Sequence, residues 1–114
     1  MNKLRVYIFS TLMVLSIVSC NNTVPLSEKS FHVWGNCEKC KKTIENACVT
    51  DGVKEAKWDQ DSKLLKLKID STVTSYDAVL KLVARSGYDN ELFFGNDYAY
   101  SKLPECCQYE RRVD

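Results

Sequence analysis

The feature that most constrains this chain is a pair of cysteines three positions apart, Cys37 and Cys40, where one periodicity gives way to another. Ahead of the pair, Ser30 to Trp34 alternates, with Phe31 and Val33 to one face and His32 and Trp34 to the other. That pattern predicts a half-buried strand. Behind the pair, from about Glu38 to Val49, Cys40, Ile44, Ala47 and Cys48 fall at helical spacing and share one face. Lys39, Lys41, Lys42, Glu45 and Asn46 lie mostly away from that face. Cys37 falls at or near the helix cap and projects outward, while Cys40 sits on the inner edge. The two sulfurs can therefore converge on one ion from different sides.

The remaining periodicities frame this loop. Asp51-Gly52 ends the helix. Val53 to Trp58 reads as a second strand with Ala56 and Trp58 on one face, and Asp59-Gln60-Asp61-Ser62 as a polar turn. From Leu64 to Ile69, Leu65, Leu67 and Ile69 alternate with Lys66 and Lys68, a third strand that closes a hairpin with the second. A second helix runs from about Ser75 to Ser86, with Thr74 or Ser75 as cap, Asp77 in its first turn and Arg85 in its last. Its buried face is Tyr76, Val79, Leu80 and Val83, and Gly87 ends it. A fourth strand is expected at Glu91 to Phe94. The order strand, helix, strand, strand, helix, strand predicts an α+β ferredoxin-like sandwich, a four-stranded antiparallel sheet with two helices on one face. Residues 96–114 form an extension, in which Pro104 can start a short helix carrying Cys106, Cys107 and Tyr109.

The first 19 residues read as an export signal. Lys3 and Arg5 precede an apolar run from Val6 to Val18, long enough for a signal peptide and too short for a spanning helix. The run ends in Ile17-Val18-Ser19-Cys20, which resembles the lipobox of bacterial lipoproteins. The resemblance implies that Cys20 carries lipid as the first mature residue, anchoring the protein in the cell envelope on the periplasmic side of a membrane. An ordinary cleaved signal with an incidental cysteine is the alternative. Residues 20–29 are polar, carry Pro25, and read as a tether. The folded domain is then expected at residues 30–95, with a modest core burying roughly 60% of the unfolded surface. Loss of Lys3 and Arg5 leaves a near-neutral chain without a basic stripe, which argues against nucleic acid as a partner.

With Cys20 lipidated, five of the six cysteines remain: Cys37, Cys40, Cys48, Cys106 and Cys107. Disulfides are the default in an exported chain, but an odd number leaves one thiol over, and two tight pairs look more like ligands than staples. Thiolates select soft ions, Cu(I), Zn(II) and Hg(II) among them, over hard cations. A helix N-terminus lowers a thiol's pKa, and Lys39, Lys41 and Lys42 add positive potential. Structural zinc takes four ligands, which Cys37 and Cys40 reach only with help. Cys106 and Cys107 could lend a ligand to that site, form a separate or intermolecular one, or form a disulfide. Adjacent residues diverge on a helix, so one of the two joins a shared site more easily than both. Cys48 reads as packing, and His32, the lone histidine, as structural.

Trp34-Gly35-Asn36-Cys37-Glu38-Lys39-Cys40-Lys41-Lys42, together with Gly52-Val53 and Gly87-Tyr88, resembles the heavy-metal-associated domain of copper chaperones, of metal-pumping ATPase arms and of periplasmic mercury-binding proteins. The resemblance covers about Ser30 to Phe94. It implies soft-metal binding without catalysis, Cu(I) first and Zn(II) or Hg(II) after it, by Cys37 and Cys40. Tyr88 and Lys41 are expected beside the ligands, with Cys106 and Cys107 as further ligands. The implied partners are a metal-transporting ATPase or another metal-binding protein, with the chain a monomer or a metal-bridged dimer. The family's methionine before the first ligand is absent, and Trp34 is expected to fill part of its space. The tail Leu103 to Tyr109 is foreign to the common domain and resembles tails of small exported heavy-metal-domain proteins of the Bacteroidetes type. Two other functions compete. CxxC opening a helix after a strand is also the thioredoxin arrangement, though the intervening pair here is Glu38-Lys39 and no proline precedes a late core strand. The other is a structural lipoprotein stapled by disulfides.

Overall fold

A computed structural model describes residues 25–114, so the signal segment and the lipidation reading of Cys20 lie outside the described residues. The elements are β1 (Leu26–His32), α1 (Glu38–Ala47), β2 (Val53–Trp58), β3 (Leu64–Asp70), α2 (Tyr76–Arg85) and α3 (Asp97–Ser101), followed by a 3-10 turn at Glu105–Cys107. Three strands form one antiparallel sheet in the order β1-β3-β2. Leu65, Leu67 and Ile69 of β3 point into a core shared with Phe31, Val33, Ile44, Trp58, Val79, Leu80 and Val83. Lys66 and Lys68 face the other side, near Glu28 and Glu55 at 3.5 and 3.7 Å, pairs too exposed to stabilise the fold much. The alternation read from β3 thus decides which face the helices cover.

Two expectations need correction. β1 begins at Leu26, so residues 26–29 are strand where a tether was expected; they pair with Leu67 to Asp70 of β3. The fourth strand is reduced to a bridge between Val33 and Asn90. Trp34 N–H donates to the Asp89 carbonyl at 2.9 Å and Glu91 N–H to that of His32 at 3.2 Å, and the pairing goes no further. The cause is Asn90. Its Oδ1 accepts from the N–H groups of Leu92 and Phe93, and its own N–H donates to the Phe93 carbonyl. An asparagine that recruits the amides after it offers the backbone a turn in place of a ladder.

The helices follow their local signals. Ser75 caps α2 by accepting from Ala78 N–H, and Gly87 ends it at φ +100°, a conformation that glycine adopts without strain. A β-carbon at Gly87 would lie 2.8 Å from Tyr100 N, so the glycine also lets α3 approach. α3, unforeseen from periodicity, is capped by Asn96, whose side chain accepts from Ala99 N–H at 2.8 Å. Asn96 N–H in turn reaches the Ala84 carbonyl at the end of α2. This contact turns the chain back toward the cysteine loop.

Candidate metal centre

The loop Trp34 to Cys37 is held open by its neighbours. Gly35 lies against the indole of Trp58, where a β-carbon would meet the ring at 3.0 Å. Trp58 Nε1 donates to the Val33 carbonyl at 3.0 Å. The ring beneath the loop is therefore that of Trp58, not Trp34 as expected; Trp34 packs against His32 in a tilted pair at 3.9 Å between centroids, half-buried at the surface. The His32 ring is not among the grouped ligand atoms.

Cys37 is the N-cap of α1 and Cys40 lies in its first turn, fully buried. Their sulfurs are 3.9 Å apart. The 3-10 turn brings a third sulfur, that of Cys107, to 3.8 Å from Cys37. The ligand atoms of Cys37, Cys40 and Cys107 all lie within 4.8 Å of one another. Cys106 is exposed; its sulfur is 3.9 Å from that of Cys107, outside the group, while its carbonyl accepts from the Cys37 thiol at 3.5 Å. Of the two tail cysteines expected near the site, the turn thus brings one inward and leaves the other at the rim. Cys48 is packed in the core, its thiol donating to the Ile44 carbonyl, and burial followed by the Glu45 charge pushes it up to about 12.

The electrostatics favour a thiolate at Cys37. Its sulfur makes no full capping hydrogen bond. The Cys40 amide is nonetheless the strongest influence on it, and with the Lys39 amide and the thiols of Cys107 and Cys106 it outweighs burial, bringing the pKa down to about 7. Asn36 N–H donates to the Cys40 sulfur at 3.3 Å. Burial pushes the Cys107 thiol up. Lys41 takes no part: its ammonium binds Glu45 at 2.7 Å and the Trp58 carbonyl at 2.9 Å. Glu45 also accepts from Trp58 N–H, so Lys41 fastens α1 to β2, a correction to its expected place beside the ligands.

Tyr88 is packed beside Cys40 and Cys107. Its ring is fully buried and its hydroxyl has no hydrogen-bond partner among the described residues. Burial and the neighbouring Cys40 and Cys107 push its pKa up, so it stays a neutral donor. A buried hydroxyl without a partner calls for an acceptor, and the sulfurs at its side become strong acceptors once they are thiolates. The donor set fits a soft metal ion on size as well. A thiolate–metal bond of about 2.3 Å places sulfurs about 3.8–4.0 Å apart in tetrahedral or trigonal sites; Cys37 lies 3.9 Å from Cys40 and 3.8 Å from Cys107, and all three are within 4.8 Å of one another.

Three residues that periodicity did not single out complete the centre. Asp89 is fully buried, and its carboxylate receives Arg111 Nε at 3.0 Å, Arg111 Nη2 at 2.7 Å, Arg112 N–H at 2.8 Å and Gly95 N–H at 2.6 Å. Tyr109, also buried, stacks on Tyr88 at 5.5 Å. Its hydroxyl accepts from Asp89 N–H at 2.7 Å and donates to the Gly87 carbonyl at 2.6 Å. Only Tyr109 lay on a segment expected near the site; an aspartate after Gly87-Tyr88 and an arginine near the C-terminus carry no spacing signal.

No family model matches the chain, and no curated protein matches it. Among solved structures it is similar to a protein from Bacillus anthracis str. Ames named for copper-ion binding, with a TM-score of 0.57 and 22% identity over 60% of this chain and 100% of the other. It is also similar to the CopZ metallochaperone, with a TM-score of 0.54 and 24% identity over 56% of this chain and 98% of the other. At that identity the likeness is one of fold: the described residues share the α+β architecture of these two proteins, here with three strands in the sheet.

Proposed function

We propose that this protein binds one soft heavy-metal ion, Cu(I) first and Zn(II) or Hg(II) after it, as cargo between Cys37, Cys40 and Cys107. The observation that carries the reading is the meeting of three sulfurs, from two separate segments, at the N-terminus of α1. The similar solved structures, a protein named for copper-ion binding and a metallochaperone, support it. In this reading the protein catalyses nothing. It is tethered to the periplasmic side of a bacterial membrane by lipid on Cys20 and passes its ion to a metal-transporting ATPase or another metal-binding protein. Cys37, half-buried beside the rim, is the sulfur at which an incoming ligand begins the exchange. Cys106, exposed next to it, is the reserve ligand that joins as the ion enters or leaves.

Competitive Cu(I) binding to the reduced protein tests this. Cys37→Ser or Cys40→Ser is expected to lower affinity by at least about 100-fold, the scale of a lost thiolate ligand, since even outer-shell partners are worth 10–100-fold. Cys107→Ser is expected to lower it about 10–100-fold and Cys106→Ser by less. Equal affinity in the wild type and Cys107→Ser would remove the tail from the site.

A second reading, thiol–disulfide exchange by Cys37 and Cys40, draws on the lowered pKa of Cys37. It predicts rapid reduction of a disulfide substrate and weak metal binding, the opposite pair of results.

A further inference from the structure

The turn that carries Cys107 is three residues long, too short to hold a shape by itself. Its neighbours Glu105, Cys106, Gln108 and Glu110 are exposed. What fixes it lies further along the chain. The Tyr109 hydroxyl is bonded at both ends of the Gly87–Asp89 backbone, its ring is sandwiched between Tyr88 and the edge of Tyr100, and the Tyr100 hydroxyl donates to the Tyr109 carbonyl at 2.7 Å. Arg111 then closes a bidentate fork on Asp89, with further bonds to Asp97 at 2.9 Å and the Gly95 carbonyl at 2.7 Å.

Asp89 is attached to the cysteine loop as well. Its carbonyl accepts from Trp34 N–H at 2.9 Å, three residues ahead of Cys37. One residue therefore holds the first half of the sulfur site by its backbone and the second half by its carboxylate. We propose that Asp89, Tyr109 and Arg111 are positioning residues that set the number of sulfurs at the site, adding Cys107 to the Cys37/Cys40 pair. A two-sulfur loop becomes a three-sulfur site, and the buried third sulfur makes the ion harder to release. Arg111 is suited to this because its planar fork matches both carboxylate oxygens, which a lysine cannot do.

The proposal rests on the metal-binding reading, and its test separates the two. In the metal-free reduced protein, alkylation of Cys107 is followed by mass spectrometry with Cys48, buried on α1, as an internal control. Arg111→Ala is expected to speed Cys107 labelling on the order of tenfold while Cys48 stays slow, the mark of local opening. In the Cu(I)-loaded protein, X-ray absorption is expected to count three sulfurs in the wild type and two in Arg111→Ala, with Arg111→Lys recovering little. In a Cys107→Ser background, Arg111→Ala is expected to change Cu(I) affinity by less than about twofold, since the sulfur it positions is already gone.

Unchanged Cys107 labelling overturns the proposal, as does an equal loss of affinity in the Cys107→Ser background, which would mark Arg111 as general scaffold. If Cys48 labelling rises too, the arginine variant has unfolded globally. Tyr109→Phe, which removes only the hydroxyl bonds, then decides by the same two readouts. A wild-type chain that takes no Cu(I) overturns the metal reading alone, because the labelling ratio still tells whether this segment holds Cys107 in place.

Discussion

At the residue scale the centre is defined by what buried groups lack or share. Tyr88 carries a hydroxyl buried beside Cys40 and Cys107 with no hydrogen-bond partner among the described residues. Burying an unbonded hydroxyl costs about 1–3 kcal/mol, so Tyr88→Phe is expected to leave the metal-free protein as stable as the wild type or somewhat more so. Bound Cu(I), by contrast, should be held more weakly, because in the proposed function a metal-bound thiolate is the acceptor for this hydroxyl. Thermal melts with and without Cu(I) check both halves, and a lower midpoint in the metal-free variant would count against this role. Of the residues at the centre, Cys37, Cys40 and Tyr88 were legible because spacing and flanking glycines place them. Lys41 was misplaced because a sequence shows its charge but not its reach: the ammonium finds Glu45 one helical turn on and the Trp58 carbonyl across the gap. Trp34 was expected as cover for the loop because it is near in sequence, whereas the packing against Gly35 gives that place to Trp58.

At the scale of elements, α1, the β2–β3 hairpin, α2 and the C-terminal half of β1 follow from alternation, helical period and caps. They are long enough for the pattern to outweigh single residues. The fourth strand was lost because its segment is short and apolar on successive residues, Leu92, Phe93 and Phe94, so no alternation resists the turn nucleated by Asn90. The short helix after Pro104 was expected and is present as the 3-10 turn, but the contacts that dock the C-terminal segment were unreadable for a related reason. The segment is fixed by an aspartate and two aromatic rings distant in sequence, not by periodicity. The close approach of this segment to α2 gives a direct test. Gly87 sits at φ +100°, and Gly95 packs so close to it that a β-carbon on Gly95 would lie 2.7 Å from the Gly87 carbonyl carbon. Gly87→Ala is expected to cost about 1–3 kcal/mol from backbone strain and the clash with α3, read as a lower denaturation midpoint. A midpoint equal to the wild type would mean that α3 is not seated against α2 as described.

At the scale of the whole molecule, the segment that carries Cys107 is fastened to a small α+β domain by an ion pair on the buried Asp89 carboxylate. Burial opposes the charge on Asp89, but Arg111 and the amides of Arg112 and Gly95 outweigh it and hold the carboxyl below its ordinary range. The stability this contributes is fully present above the unfolded carboxylate pKa of about 3.9. It is lost as pH falls through the lower folded value, when Asp89 takes a proton. The C-terminal segment is thus expected to stay docked at neutral pH and to loosen only in acid, below the unfolded carboxylate pKa of about 3.9. Amide exchange of residues 105–112 across that range would show it, and loosening already at pH 6 would contradict it. Arg111→Ala should cost about 2–3 kcal/mol, since it leaves a buried carboxylate without its partner while the arginine itself is partly exposed.

The measurement that bears most directly on the account is the sulfur count around one equivalent of Cu(I), by X-ray absorption, in the reduced wild type and in Cys107→Ser. Three sulfurs in the wild type and two in the variant are expected, with the fold of both unchanged by circular dichroism. The same count in both proteins, or Cu(I) left bound to the competing chelator, would contradict a centre built by Cys37, Cys40 and Cys107 together.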